Sequence, residues 1–192
     1  MFAKLWIFMK ESTINLKIRK SLKDLGKEFK ISETSILNEF DAQAELFNIL
    51  RKNLKKLKDI VHCQCTVENI GIRPDIMIFE NIDFHIEKNK KDKFSIGDWT
   101  HNISSVIEIK HLLNGDSNTI LNTIKQDFYK LRKYDVGDSY VVLLHHSSNS
   151  GTFKYVRNQI NNFSKKKKNK NVYVFYCNRV SYFLIKNGKL IK

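Results

Sequence analysis

One proline, seven glycines and three cysteines in 192 residues leave little material for several classes of protein. No Pro-, Gly- or Ser-rich stretch forms a linker and no internal repeat divides the chain. It therefore reads as a single domain over residues 31–192, preceded by an N-terminal extension, residues 1–30. Cys63, Cys65 and Cys177 are odd in number, and Cys63-x-Cys65 lies in a strand-like run rather than at zinc-ligand spacing. That excludes a disulfide framework and leads us to expect free thiols in a reducing cytoplasm. No run approaches the ~20 apolar residues that cross a bilayer. The opening MFAKLWIFMK has a short apolar run without a small-residue cleavage site, so no signal peptide is expected. A Gly-rich phosphate loop, a nucleophile elbow and a Cys/His pair are all missing from the sequence.

What the sequence has in excess is positive charge: 34 Lys and Arg against 20 Asp and Glu, a formal +14. Such a surplus points to a polyanionic partner. Nucleic acid is expected rather than a membrane, because no strongly amphipathic basic helix carries aromatic anchors. The basic runs at 51–58, 88–93 and 165–168 serve either as solvated segments or as phosphate contacts.

Apolar spacing predicts a helix over residues 33–58, with Ile36, Leu37, Phe40, Ala44, Phe47, Leu50, Leu54 and Leu57 on one stripe and Ser32 as N-cap. Strands are expected at Ile60–Glu68 and Ile72–Phe79, around an Asn69-Ile70-Gly71 turn, followed by a Lys-rich insertion over 80–102 and a strand at Ser105–Lys110. A helix over 119–134, a strand at Ser139–His145, a helix at Thr152–Phe163 and strands at Val172–Cys177 and Val180–Lys186 complete the domain, with Asn187-Gly188 as a turn. The extension is expected to hold a strand at Leu5–Met9 and a basic helix around Ile18–Phe29. The whole is an α/β pattern in which helices cover a mixed central sheet.

One constellation carries chemistry. Alternation in the run VIEIK puts Glu108 and Lys110 on one face and Ile107 and Ile109 on the other. In the preceding strand Ile76 and Ile78 take one face and Asp75 the other, so pairing of the two strands brings Asp75, Glu108 and Lys110 together. Two carboxylates, with the Ile109 backbone carbonyl between Glu108 and Lys110, make a hard oxygen donor set for Mg²⁺. A neighbouring lysine suits phosphodiester hydrolysis, orienting a water and offsetting charge on phosphate. The alternative reading is that these are ordinary polar residues on a solvated sheet face.

The pairs Pro74-Asp75 and Glu108-Ile109-Lys110, each on a predicted strand with helices before and after, resemble the PD-(D/E)xK nuclease superfamily, the restriction-endonuclease-like fold. The resemblance spans residues 33–146; its interval between Asp75 and Glu108 is long and is filled by the Lys-rich insertion. It implies an αβββαβ core and a Mg²⁺-dependent nuclease, with Mn²⁺ able to substitute. In that reading Asp75, Glu108 and the Ile109 carbonyl bind the metal and Lys110 positions the nucleophile. It also implies a glutamate from the first helix. On a wheel of ~100° per residue, Glu39 lies roughly 65° from the centre of the apolar stripe and Glu45 roughly 175°, facing solvent. Glu39 is therefore the candidate, with Gln43 on the same edge; a solvated helix-surface glutamate is the alternative. The string EFDAQAEL is similar to the opening helix of several such nucleases.

On the second helix Gln126 falls opposite the stripe, while Asp127 and Lys130 lie along its edge. Lys130 either faces substrate or forms a surface ion pair with Asp127. The spacing Gln126-x-x-Tyr129 misses the Gln-x-x-x-Tyr signature of one nuclease subgroup. Arg73 either contacts phosphate or makes a strand-end ion pair. His111 should point away from the catalytic face, and His145-His146 read as strand-end polar residues. The expectation is a cytoplasmic endonuclease on duplex or branched DNA, without membrane association, in which cutting two strands would favour a homodimer. The alternative is a non-catalytic nucleic-acid-binding module with the same fold.

Overall fold

The computed structural model of the chain describes residues 2–31, 36–54, 60–63, 73–79, 103–132, 137–166 and 172–191, with the side chains of 2–12, 60, 62 and 166 set aside. The turn expected at 69–71 and the Lys-rich insertion over 80–102 lie outside these residues.

Helix α1 runs over Phe2–Ile31. Its stripe of Ile14, Ile18, Leu22, Leu25 and Phe29, spaced by three and four, is fully buried. This overturns the strand expected at Leu5–Met9: no breaker separates that run from the stripe, and a helix once nucleated propagates through it. Helix α2 runs over Glu39–Leu54 and starts later than expected. Asn38, not Ser32, caps it: its side chain accepts the Asp41 N–H at 3.0 Å while the Asp41 carboxylate accepts the Leu37 and Asn38 N–H groups. The later start moves the buried face to Ala42, Leu46, Leu50 and Leu54 and leaves Leu37 and Phe40 exposed.

Among the described residues seven strands form one sheet in the order β1-β2-β3-β4-β5-β6-β7, with β1 at Ile60–Cys63, β2 at Ile76–Phe79, β3 at Ile103–Leu112, β4 at Asp138–His145, β5 at Val172–Asn178, β6 at Tyr182–Lys186 and β7 at Lys189–Leu190. The sheet is mixed: β3, β4 and β5 are parallel and the outer pairings are antiparallel. Each parallel connection carries a helix, α3 (Ser117–Leu131, capped by Asp116) and α4 (Ser150–Lys166). Because the crossovers step in one direction across the sheet, their common hand places both helices on one face. There they bury Ile120, Ile124, Phe128, Val156 and Ile160 against Val141, Val174 and Tyr176. Helices α1 and α2 cover the other face, over Ile76, Ile107, Ile109, Val142 and Phe175.

Two strands begin later than expected, for local reasons. β2 starts at Ile76 because Pro74 has no N–H for the ladder. β6 starts at Tyr182 because the Asn178 side chain accepts the Val180 and Ser181 N–H groups at 3.0 and 2.9 Å, closing a turn.

The β6–β7 turn uses the left-handed region at Asn187 (φ 50°) and Gly188 (φ 71°), as a tight hairpin requires. A Cβ at Gly188 would also fall 2.0 Å from Lys165 Cγ and 3.0 Å from the Asn161 carbonyl. Gly188→Ala is expected to cost about 1–2 kcal/mol, lowering the thermal midpoint by roughly 2–8 °C. An unchanged midpoint in a melting experiment would contradict this.

Candidate active site

The site forms where β2 begins beside β3. Ile76 pairs with Ile107, and the register continued by two residues sets Pro74 opposite Ile109. Proline offers no donor to the Ile109 carbonyl, so the ladder stops there, and the Ile109 N–H is donated to Asp75 Oδ2 at 2.6 Å. N–H and C=O of one strand residue share an edge, so the Ile109 carbonyl also faces this opening. Asp75 follows the phase of Met77 and Phe79, toward α3, and Glu108 and Lys110 follow that of Val106, on the same face. Ile107 and Ile109 anchor the strand in the opposite core.

Two helices complete the cluster. From α2, Gln43 Nε2 donates to the Asp75 carbonyl at 2.8 Å and Glu39 Oε1 accepts from Lys110 Nζ at 3.1 Å. From α3, Lys130 Nζ donates to Glu108 Oε1 at 2.5 Å, with Lys110 Nζ 3.8 Å from the same oxygen. The result is an alternating chain, Glu39–Lys110–Glu108–Lys130, with Asp75 alongside.

Burial dominates the electrostatics. It pushes the Glu108 carboxyl up to about 7; Lys130 only partly offsets the lost hydration, and Asp75 and Asp127 add to the rise. Burial likewise raises Asp75, against the pull of the Ile109 N–H and Lys110. For Lys110 burial works against the charge, but the bonded Glu39 carboxylate more than compensates and raises its pKa. Glu108 Oε2 and Asp127 Oδ2 are buried without a hydrogen-bond partner among the described residues.

The structure thus brings together Asp75, Glu108, Lys110, Glu39, Gln43 and Lys130. Arg73 is exposed just ahead of β2. Asp127 and Lys130 do not form the surface pair considered for them: Lys130 turns to Glu108, and Asp127 is only 6% exposed. Packing of Ile124, Phe128 and Leu131 against the sheet rotates that edge of α3 inward. Its position beside the apolar stripe was the signal in the sequence for this. Gln126 is exposed, as the wheel requires. Glu45 is half-buried and lines the groove between α1 and α2 with Lys20 and Asp24, rather than facing open solvent. His111 points to the opposite face, its ring 4.7 Å from that of His146. His145 bonds to the Tyr176 hydroxyl at 3.0 Å and His146 to the Ile36 carbonyl at 3.1 Å.

Among the described residues no group of three or more His, Cys, Asp or Glu side chains is arranged to hold a metal ion. Each acid has turned one oxygen to a protein donor: Glu108 to Lys130, Glu39 to Lys110, Asp75 to the Ile109 amide. The donor chemistry nevertheless suits a hard cation, since the acids are carboxylates on one opening and a buried Glu108 oxygen is left without a partner. No family model, curated protein or solved structure matches the chain.

Proposed function

We propose that this protein is a divalent-cation-dependent nuclease of the restriction-endonuclease-like type, hydrolysing phosphodiester bonds in DNA. The observation that carries the reading is the connected set of Asp75, Glu108, Lys110 and Glu39 at the start of β2, within ion-pair or hydrogen-bond contact of one another or of the strand between them. The order α2–β1–β2–β3–α3–β4 supports the same fold.

Asp75, Glu108 and the Ile109 carbonyl would hold Mg²⁺, with Mn²⁺ able to replace it. When bound, the ion polarises a phosphoryl oxygen and acidifies an attacking water. The chain's own residues do the rest. Glu39 holds the Lys110 ammonium at the opening, where it orients the water and offsets charge developing on phosphate. Gln43 fixes the Asp75 backbone, and so the direction of its carboxylate. Lys130 compensates the charge on Glu108 Oε1. Water attack on phosphorus leaves a 5′-phosphate and a 3′-hydroxyl. The surplus of fourteen positive charges forms the surround that concentrates a polyanion at a small acidic opening. The buried Cys177 thiol suits a reducing cytoplasm. Among the described residues no helix is long and apolar enough to cross a membrane.

The test is incubation with plasmid, linear, branched and single-stranded DNA in Mg²⁺, in Mn²⁺ and in EDTA. Cleavage with either cation and none in EDTA is expected, with 5′-phosphate ends. DNA that is bound but left intact under every condition would make the site a non-catalytic binding module.

A further inference from the structure

Resting on the cation-dependent reading above, we propose that Asp127 is a further ligand of the cation at this site, through the oxygen that the fold leaves without a partner. Asp127 lies on α3, three residues before Lys130 and so on the same side of the helix. It is 6% exposed and Glu108 is 3% exposed; Asp127 Oδ2 and Glu108 Oε2 are both buried without a hydrogen-bond partner among the described residues. Its carboxylate interacts electrostatically with Lys110, Lys130, Asp75 and Glu39, the very groups of the cluster.

Hydrogen bonding among the described residues does not explain a carboxylate there. The helix is capped by Asp116, and the ion pairs of Lys110 and Lys130 among the described residues go to Glu39 and Glu108. Aspartate is a poor residue for a helix interior, and a buried polar atom without a partner destabilises the folded state. A side chain kept under those conditions calls for a partner beyond the described residues. Charge identifies that partner. With Asp127 counted, four carboxylates face two ammonium groups, and when all are ionised the cluster carries two net negative charges, the complement of one divalent cation. Without Asp127 only one remains. A neutral ligand would leave that excess uncompensated, and an anion would worsen it.

The test uses Mn²⁺ alone, without DNA, titrated calorimetrically into the full wild-type chain, Asp127→Asn and Asp127→Glu, together with melting curves in EDTA. Asp127→Asn keeps the shape and removes the charge. It is expected to weaken Mn²⁺ binding at least tenfold and to raise the EDTA midpoint, because a buried amide is easier to accommodate than a carboxylate lacking a partner. Asp127→Glu, which keeps the charge, is expected to bind more tightly than Asp127→Asn. Binding by Asp127→Asn within twofold of wild type overturns the proposal. So does an Asp127→Asn chain that melts lower than wild type in EDTA or fails to fold, since the carboxylate is then structural. If wild type itself takes up no Mn²⁺, the cation-dependent reading falls and this inference falls with it.

Discussion

Lys110→Ala is expected to slow cleavage roughly 10²–10³-fold, the usual cost of losing one charge-stabilising donor at a reacting centre, while leaving the melting midpoint almost where it was. Both halves follow from the geometry. The Lys110 side chain is 28% exposed and its Glu39 partner 43%, so the pair between them is a solvated one. Such pairs contribute about 0–1 kcal/mol. The ammonium, however, is the positive group that reaches both Glu39 at 3.1 Å and Glu108 at 3.8 Å. Arginine should not restore the rate, because a planar fork cannot occupy the place of a compact ammonium between two carboxylates. Asp75→Asn separates charge from structure at the neighbouring position. The amide oxygen still accepts the Ile109 N–H, so stability holds, but the anionic ligand is gone and cleavage should fall at least as far. Single-turnover rates and melting curves on the same preparations check both variants. A Lys110→Ala chain that cuts at the wild-type rate would remove the lysine from the site.

The residues that sequence reading placed correctly are those whose positions depend on a local period. Asp75, Glu108 and Lys110 share a face because strands alternate, and that alternation survives any error in strand ends. Ile107 and Ile109 enter the opposite core by the same rule. Glu39 was chosen from a stripe that included Leu37 and Phe40, both exposed in the structure. Glu39 still reaches Lys110, because Glu39 and Gln43 lie on one edge of the helix whichever centre is taken. What local pattern does not encode is the contact between distant segments. The pairing of Lys130 with Glu108 depends on how α3 sits on the sheet, and an isolated wheel shows only that Lys130 and Asp127 are neighbours. The strand expected in the N-terminal segment failed similarly. A five-residue apolar run fits either period, and the buried stripe from Ile14 to Phe29 that settles it is visible as such only against the sheet.

Glu108 should make the metal-free protein less stable as pH rises, and Glu108→Gln should remove that dependence. Burial pushes its carboxyl up to about 7 from an ordinary 4.5, so the folded protein retains a proton that the unfolded chain gives up. Below pH 4.5 both states hold the proton and the group has no effect. Between 4.5 and about 7 the unfolded state ionises first and stability falls; above about 7 the full loss is in place. At about 1.36 kcal/mol per pH unit the loss is on the order of 3 kcal/mol. Asp75 and Asp127, also raised by burial, act in the same direction. His111, His145 and His146, lowered by burial, act in the opposite one: their contribution is lost as pH falls. The clean quantity is therefore the difference between wild type and Glu108→Gln, in which the shared groups cancel. In EDTA the variant should gain on wild type by roughly 2–3 kcal/mol between pH 5 and pH 8, measured by urea unfolding. The attraction of Lys130 for the Glu108 charge is already contained in that raised value and leaves this slope intact. Mn²⁺ should then reverse the order, stabilising wild type and not the variant, because the energy that burial withholds from Glu108 is returned when a cation replaces the lost water. Stability curves that run parallel from pH 5 to pH 8 would show that Glu108 ionises in the folded protein as easily as in the open chain, and a carboxylate that comfortable without a cation would have no need of one.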